Sequence, residues 1–547
     1  MGPIDARIRL FSSAREWASP SLPMDGMSDL PPTPRQRDLA DLADRIGTVR
    51  VRGEAAGPID AIRYDSRQAG PGALFVSRPG NKDDGHRFIA DAVRRGARAV
   101  IHERDLPGYA PGVCYLQVPD VKTALAVAGA WHAGDPARNL LLVGVTGTDG
   151  KSSTAWFTKL LLDRLGLPAG LVSSVYVDDG TGVVDTPWRL STPEAPELHG
   201  LLATMTGLGR RAAVIEATSI ALAAGRVHGL PLAAAAITNV THEHLEFHGD
   251  WERYRDTKAA LLDMVRDRPD GSRGVAVLNR DDGAWHDLRA RFPAAQSFST
   301  ISPASHGGGE ADCTATVLAA DGSGLTLAVR LHDVRRQCRV QVGDPVQAGN
   351  IAAALLLASG AGGAAPHHVL DALPVLSPLP GRMQQIRNDR GFTMIVDHAH
   401  TPAAFRQLFA GLRLCRGADR AADSRTIVVF GSAGEKDREK RAMQGRIASE
   451  HADIVILTDE DPRREDPLMV LKDIAGGFVA GAPAPRLIPD RREAIVTAVE
   501  LARPGDTVLL LGKGHERSIE YADHVQPWDE VTEAHSAVQT HDSKYRG

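Results

Sequence analysis

The sequence is poor in cysteine, with Cys114, Cys313, Cys338 and Cys415 as the four cysteines in 547 residues. They are scattered and form no CxxC pair. The sequence therefore lacks the ligand spacing of a structural zinc site and the framework of a disulfide-stapled secreted domain. A reducing compartment, the cytoplasm, is the expected location.

Long apolar runs are also absent. The best candidate, IAAALLLASGAGGAA from Ile351, is largely Ala and Gly and is shorter than the roughly 18 apolar residues that indicate a membrane span. Residues 1–26 carry charges throughout and have no apolar core, unlike a secretory signal, so Met27 is a plausible initiator. No membrane partner is expected.

Positive charge is not in excess. Lys and Arg total 63 and Asp and Glu total 68, for a formal net charge of −5, and no run of five basic residues occurs. Nucleic acid is therefore not an expected partner.

The length exceeds what one hydrophobic core usually serves and predicts three domains. An extension or disordered segment is predicted at 1–37. The predicted domains are N-terminal at 38–137, central at 138–377 and C-terminal at 378–547.

Short apolar runs that end in polar clusters recur in the central and C-terminal domains. Examples are AAVIEATS, AAAAITNVTHEH, MIVDHAH and TVLLLGKGHE. Separated by helical stretches, such runs predict an α/β protein with mostly parallel sheets, whose ligands bind at the carboxyl ends of the strands. Two such domains facing each other would place a nucleotide and an acceptor in one cleft.

The segment GVTGTDGKSS follows an apolar run and precedes an amphipathic stretch, which predicts a strand, a glycine-rich turn and a helix. Its glycines are Gly144, Gly147 and Gly150. They are expected to bring backbone N–H groups close to phosphate oxygens at the helix N-terminus. Lys151 would neutralise the outer phosphates and Ser152 would bind Mg²⁺, so the segment predicts a nucleotide site.

An ordered set of motifs carries a family resemblance. GVTGTDGKSS, IEATS, TNVTHEHLEFHGDWERYRDTKAALL, PLPGRM, VDHAHTP and LGKGHE occur in this order, after an N-terminal YDSRQAGPGALFVSRPGNKDDGHRFI. Together they resemble the Mur ligases, most closely the MurE type that adds an amino acid to UDP-N-acetylmuramoyl-L-alanyl-D-glutamate. The resemblance implies a UDP-binding α/β domain, a central P-loop ATPase domain and a Rossmann-like C-terminal domain in a monomeric peptidoglycan-precursor ligase.

The resemblance also implies an ATP-dependent, ADP-forming reaction through an acyl phosphate, which an amine attacks. The implied catalytic residues are Lys151, Glu216, His244 and Lys258. The implied Mg²⁺ ligands are Ser152, Glu216 and His244. Lys258 matches a family lysine that reacts with CO₂ to become a carbamate, which requires a neutral amine.

Contacts with ATP and with the two other substrates follow from the same resemblance. The ATP contacts are Thr146, Gly147, Thr148, Gly150, Lys151, Ser152, Ser153, Asn350, Arg382, Asp397 and His400. Contacts with the UDP-sugar peptide are expected from Ser66, Arg67, Ser191, Thr192, Ser219 and Arg226. Contacts with the amino acid are expected from Lys436, Asp461, Arg463, Gly512 and Glu516.

The chain departs from the family pattern at several of these positions. Asp149 places a carboxylate beside the phosphates, and Ile220 and Ala224 replace polar residues near the acceptor. Lys436 and Asp461 stand where diaminopimelate-adding enzymes carry arginine and asparagine. Both changes disfavour a second carboxylate, so a basic amino acid such as lysine or ornithine becomes a candidate.

Three alternatives remain open from the sequence. The same bond could be made on another acceptor, in a Mur-like paralogue of another pathway. The protein could bind nucleotide without ligase activity, although four catalytic-type residues argue against this. Folylpolyglutamate synthesis shares the glycine-rich turn and the central fold, but the first domain and the LGKGHE segment fit the Mur pattern.

Overall fold

A computed structural model describes residues 39–79, 84–186, 192–241, 245–268, 271–301, 310–321, 324–379, 381–416 and 424–545. The segment predicted as an extension, 1–37, lies outside these ranges, as do Ser191 and His244. No helix among the described residues is long and apolar enough to cross a membrane.

The first sheet has five strands in the order β1-β5-β4-β3-β2 and is parallel except for β1. Its strands are β1 (Arg50–Arg52), β2 (Ala61–Arg63), β3 (Ala73–Val76), β4 (Ala99–His102) and β5 (Cys114–Gln117). Its helices are α1 (Leu39–Arg45), α2 (Ile89–Arg94) and α3 (Val121–Ala133), with 3-10 turns at Ser66–Gln68, Gly85–Phe88 and Pro136–Asn139.

The second sheet has eleven strands in the order β16-β15-β14-β13-β12-β11-β6-β10-β7-β8-β9. Its strands are β6 (Leu141–Thr146), β7 (Ala169–Val172), β8 (Tyr176–Asp178), β9 (Val183–Asp185), β10 (Ala212–Glu216), β11 (Leu232–Ile237), β12 (Val275–Asn279), β13 (Gln296–Ser299), β14 (Cys313–Asp321), β15 (Gly324–Leu331) and β16 (Val334–Val340). The strands from β14 to β7 run parallel, and the outer ones are antiparallel hairpins.

Eight helices of the described chain accompany this sheet. They are α4 (Lys151–Arg164), α5 (Ala195–Gly207), α6 (Ser219–Ala223), α7 (Leu245–His248), α8 (Trp251–Ala259), α9 (Trp285–Arg291), α10 (Gln347–Gly362) and α11 (Pro366–Asp371), with 3-10 turns at Leu262–Met264 and Leu373–Val375. The apolar run from Ile351 lies in α10, which is buried against α4 and the sheet. Its apolar character therefore serves the core of the central domain.

The third sheet has six strands in the order β17-β18-β22-β19-β20-β21 and is parallel except for β17. Its strands are β17 (Gln384–Ile386), β18 (Thr393–Asp397), β19 (Thr426–Phe430), β20 (Ile454–Leu457), β21 (Arg486–Leu487) and β22 (Thr507–Leu511), followed by the hairpin β23 (Ser518–Glu520) and β24 (Val525–Pro527). Its helices are α12 (Pro402–Arg416), α13 (Glu439–His451), α14 (Pro467–Ala475), α15 (Arg491–Leu501) and α16 (Glu530–Tyr545). The predicted boundaries at 137/138 and 377/378 fall between the sheets.

One glycine assigned to the phosphate turn lies elsewhere. Gly144 is inside β6, paired with both β10 and β11, and an added Cβ would lie 2.8 Å from the side chain of Leu232. Gly144 therefore allows close packing in the sheet, and the prediction that it shapes the turn was wrong. The turn begins with Gly147.

A buried ion pair joins α15 to α16. Arg491 and Glu530 are both fully buried and lie 2.6 Å apart, and the indole N–H of Trp528 also donates to Glu530. Glu530→Ala should lower the free energy of unfolding by about 3 kcal/mol, because it leaves the Arg491 guanidinium buried without its counter-charge. Denaturant titration monitored by circular dichroism measures this loss.

The neighbouring pair supplies the control. Arg492 and Glu533 also lie 2.6 Å apart, but the Arg492 side chain is 60% exposed. Glu533→Ala should change the free energy of unfolding by less than about 1 kcal/mol. Equal losses in both variants would contradict the role assigned to burial.

Candidate active site

The turn between β6 and α4 needs glycine at two positions. Gly147 and Gly150 have φ angles of 151° and 80°. A Cβ on Gly147 would lie 1.8 Å from the hydroxyl of Thr238, and one on Gly150 would lie 2.2 Å from the side-chain oxygen of Asn350. The loop is therefore packed against β11 and α10 and can accept no side chain at either glycine.

Asn239, which follows β11, holds the same loop from behind. Its side-chain oxygen accepts hydrogen bonds from the backbone N–H groups of Thr148 and Asp149, at 3.1 and 2.9 Å. The hydroxyl of Thr238 donates to the carbonyl of Asp149 at 2.6 Å. These two residues fix the loop conformation. They belong to the TNV motif, but the motif alone did not predict this contact.

Oxygen atoms converge at the start of α4. Glu216, at the end of β10, is 1% exposed and accepts hydrogen bonds from the hydroxyls of Ser152 at 2.8 Å and Ser174 at 2.9 Å. Ser174 was missed by the sequence analysis. No cluster of three or more His, Cys, Asp or Glu side chains suited to a metal occurs in the described part of the chain. A carboxylate with two hydroxyls is nevertheless a donor set that suits Mg²⁺.

The two predicted catalytic lysines lie on either side of the loop. Lys151 donates to the carbonyl of Thr148 at 2.7 Å. Lys258, on α8, is 1% exposed and donates to the carbonyl of Gly147 at 2.5 Å, with its Nζ 4.3 Å from the centre of the Tyr254 ring. The carbonyl and the ring face both stabilise positive charge on Lys258.

A cavity of about 850 Å³ connects the central and C-terminal domains. From the central domain, the predicted residues in its wall are Thr148, Gly150, Lys151, Ser152, Ser153 and Glu216. From the C-terminal domain they are Arg382, His400, Lys436, Asp461, Arg463 and Glu516. The structure thus brings predicted phosphate contacts and predicted amino-acid contacts into one space.

The described acceptor residues lie outside that wall, and so do six predicted catalytic, ATP or amino-acid residues. These six are Thr146, Gly147, Lys258, Asn350, Asp397 and Gly512. Thr146 is fully buried at the end of β6, and both carboxylate oxygens of Asp397 accept backbone N–H groups, from Met383 and Ala399, each at 2.7 Å. In this structure Asp397 therefore organises the loops beside the cavity.

Charges on the amino-acid side are already paired. Asp461 accepts hydrogen bonds from Lys513 at 3.0 Å and from the backbone N–H of Glu520 at 2.9 Å. Lys513 also lies 2.5 Å from Glu516, and Arg463 donates to the Glu520 carboxylate at 3.1 Å. Lys513 and Glu520 were not predicted, although Lys513 is part of the LGKGHE motif.

The predicted acceptor contacts form a network between the first two domains. Arg226 donates to the Thr192 carbonyl at 3.1 Å and to Glu194 at 2.9 Å, while Arg78 of the N-terminal domain also pairs with Glu194, at 2.7 Å. This network joins the two domains.

Three more predicted acceptor residues have distinct surroundings. Ser219 is hydrogen-bonded to His248 at 3.0 Å. Ser66 is buried, whereas the Arg67 side chain is 82% exposed and pairs with Asp65.

Asp344 of the central domain and Asp397 of the C-terminal domain are buried carboxyl groups close enough to interact. Asp344 precedes α10 and lies against Gly411 of α12. Burial, reinforced by the neighbouring Asp397, raises the pKa of Asp344 to about 6. Because the unfolded-state pKa is about 4, the ionised form lowers stability, and stability is lost as the pH rises from about 4 to about 6.

Asp344→Asn should therefore raise the melting temperature at about pH 8, and this difference should shrink as the pH falls towards about 4. Differential scanning calorimetry across this range measures it. The exposed Asp333→Asn is the control and should show no such trend. A rise in melting temperature that is the same at every pH would contradict the assignment of this effect to ionisation of Asp344.

Three models of protein families match this chain, one in each of its three domains. Family models match residues 58–130 (Mur ligase family, catalytic domain), 145–358 (Mur ligase middle domain) and 381–514 (Mur ligase, glutamate ligase domain). The chain is 41% identical over 493 residues to the UDP-N-acetylmuramyl-tripeptide synthetase of Roseiflexus sp. (strain RS-1), covering 88% of this chain and 94% of that protein. The chain belongs to the Mur ligase family.

This Mur ligase also resembles proteins named for a particular amino acid. It is 37% identical over 505 residues to the UDP-N-acetylmuramoyl-L-alanyl-D-glutamate–2,6-diaminopimelate ligase of Chlorobaculum tepidum (strain ATCC 49652 / DSM 12025 / NBRC 103806 / TLS), covering 87% of this chain and 92% of that one. A solved structure of a ligase of the same name superposes with a TM-score of 0.63 at 26% identity, covering 93% of this chain and all of that one. The predicted three-domain α/β fold is confirmed.

Membership of the family settles the reaction class. The protein is an ATP-dependent, ADP-forming ligase of peptidoglycan precursor synthesis. The alternative of a nucleotide-binding protein without ligase activity is thereby set aside.

Proposed function

We propose that this Mur ligase adds an amino acid to UDP-N-acetylmuramoyl-L-alanyl-D-glutamate by way of an acyl phosphate. The name of the Chlorobaculum tepidum relative includes this acceptor, and the Roseiflexus relative is named as a tripeptide synthetase. The observation that carries the proposal is the single cavity that joins the phosphate loop to Lys436, Arg463 and Glu516. An acyl phosphate formed at the loop would meet the amine without leaving the site, which shields it from water.

The residues on the phosphate side have separate tasks. The N–H groups at the N-terminus of α4 bind phosphate oxygens, whereas those of Thr148 and Asp149 are held by Asn239. Lys151 neutralises charge on the transferred group. Glu216, Ser152 and Ser174 would hold Mg²⁺. When bound, Mg²⁺ supplies charge neutralisation between phosphates and the acceptor carboxylate. His244 remains a proposed further ligand.

The amino acid is proposed to be a diamino acid without a second carboxylate, such as lysine or ornithine. Arg463 could form two hydrogen bonds to a substrate carboxylate, but its side chain is already paired with Glu520. Asp461 is paired with Lys513, but it lies in the cavity wall, where its carboxylate disfavours a second carboxylate on the amino acid. Lys436 remains for the α-carboxylate.

ADP formation with the purified protein tests the proposal. The mixture contains Mg²⁺, bicarbonate and UDP-N-acetylmuramoyl-L-alanyl-D-glutamate, with meso-diaminopimelate, lysine or ornithine added singly. ADP should form with lysine or ornithine and depend on the acceptor. A clear preference for diaminopimelate would overturn the amino-acid proposal while leaving the acceptor intact.

A different acceptor is the second candidate. Ile220 lies in α6, next to Ser219, and Ala224 directly follows the end of this helix. The family pattern has polar side chains at the positions of Ile220 and Ala224. If no amino acid supports ADP formation while ATP still binds, the muramoyl-dipeptide is not the acceptor, and the proposal fails in favour of another carboxylate.

A further inference from the structure

His515 lies in the wall of the cavity and belongs to the C-terminal domain. It follows β22, and in the third sheet β22 lies between β18, which leads to His400, and β19, which leads to Lys436. The carboxyl ends of these parallel strands meet at one edge. His515 is therefore placed between His400, a predicted ATP contact, and Lys436, a predicted amino-acid contact.

The fold makes room for this imidazole. The His398 ring lies 4.7 Å from the His515 ring, centre to centre, and the His400 ring lies 4.6 Å from that of His398, both pairs being tilted. A Cβ on Gly381 would lie 2.8 Å from the backbone and Cβ of His515, and one on Gly514 would lie 2.5 Å from the Cβ of His398. Both glycines have positive φ angles, so this cluster of three histidines depends on backbone that only glycine adopts readily.

The two nitrogens of His515 have different surroundings. Nδ1 is buried and has no hydrogen-bond partner. His515 lines the cavity. With Nδ1 buried, Nε2 is the ring nitrogen left to reach a bound substrate. No protein group competes for Nε2 among the described residues.

Burial and the neighbouring cations favour the neutral form of His515 in the free protein. Burial, followed by the positive charge of Arg382 and Arg517, holds the pKa of His515 well below its usual range, and His400 and Lys513 act in the same direction. The nearest carboxylate of this loop, Glu516, is paired with Lys513. A bound acyl phosphate would offset these cations and strengthen His515 as a proton acceptor.

We propose that His515 Nε2 is the general base of the amide-forming step, an inference that rests on the proposed function. The amino acid arrives as an ammonium ion and passes one proton to Nε2. Its nitrogen lone pair forms the C–N bond as the C–O bond to phosphate breaks. The second proton leaves the nitrogen with the departing phosphate, which is released as HPO₄²⁻, and His515 later returns its proton to water.

Replacing the nucleophile separates this step from phosphoryl transfer. Hydroxylamine is largely neutral near neutral pH, so it attacks an acyl phosphate without a base. In His515→Asn, kcat for ADP formation with the amino acid should fall about a hundredfold with little change in its KM. The rate of ADP formation with hydroxylamine should stay within about twofold of the wild-type rate.

The outcomes are distinguishable. Equal loss with both nucleophiles, or loss with neither, would overturn the role of His515. No hydroxylamine-dependent ADP formation by the wild-type protein would instead count against the proposed acceptor chemistry. The exposed His368→Asn is the matched control and should behave as wild type.

The wild-type protein provides an independent test if His515→Asn does not fold. With the amino acid as nucleophile, the rate of ADP formation should decline towards acid pH. With hydroxylamine the decline should be weaker, after both rates have been corrected for the fraction of each amine that is protonated in solution. Identical corrected profiles would overturn the proposal.

Discussion

Lys151→Ala should reduce ADP formation by about a thousandfold, because a positive charge is lost where negative charge develops on the transferred phosphoryl group. Lys151 lies at the N-terminus of α4 in the cavity wall, with its ammonium held by the Thr148 carbonyl. Steady-state kinetics with saturating ATP measure the loss. Most of it should appear in kcat, since the N–H groups at the N-terminus of α4 still bind the phosphates.

The control variant removes a lysine charge at a position away from the cavity. Lys472 is exposed on α14 and outside the cavity wall, so Lys472→Ala should keep its activity within about twofold of wild type. An active Lys151→Ala protein with a normal kcat would contradict the phosphoryl-transfer role of this lysine.

Lys258→Met should lower ADP formation by at least about a hundredfold if Lys258 forms the carbamate that the family resemblance implies. The Gly147 carbonyl and the Tyr254 ring favour the ammonium form, so CO₂ has to react with the small neutral fraction of this lysine. Methionine retains the apolar stem in the packed site of α8 but cannot react with CO₂. The carbamate nitrogen keeps one N–H, which can still donate to the Gly147 carbonyl that Lys258 contacts. Activity of the wild-type protein should also fall in CO₂-depleted buffer and return with bicarbonate.

Isotopically labelled bicarbonate provides a direct readout of this carbamate by nuclear magnetic resonance. The signal should be present in the wild-type protein and absent from Lys258→Met. Arg253→Ala, an exposed change on the same helix, should retain both the signal and the activity. Full activity of Lys258→Met would exclude the carbamate from catalysis.

Much of the fold could be predicted because local pattern and tertiary environment agree. The buried runs AAVIE and TVLLL form β10 and β22, central strands that are covered on both faces. The strand, glycine turn and helix start around Gly147, Gly150 and Lys151 could also be predicted, because the spacing of these residues is typical of such a turn. Gly144 was misassigned because a glycine that permits close sheet packing looks the same in sequence as one that shapes a turn.

The remaining parts of the site depend on distant segments. Ser174 contacts Glu216 and Asn239 contacts the phosphate loop, each from a segment that follows another strand. Nothing in their own sequence neighbourhoods specifies these contacts. The histidine cluster joins His398 to His515, which are more than a hundred residues apart in the sequence. The pairing of Arg463 with Glu520 occupies an arginine that the sequence suggests is free to bind a substrate carboxylate. Tertiary contacts of this kind cannot be derived from motif spacing.

Mass spectrometry of the nucleotide-linked product tests the central claim most directly, because ADP alone could arise from uncoupled hydrolysis. In a mixture of ATP, Mg²⁺, UDP-N-acetylmuramoyl-L-alanyl-D-glutamate and lysine or ornithine, the acceptor mass should increase by that of one amino acid less one water. ADP formation with an unchanged acceptor mass would contradict the account.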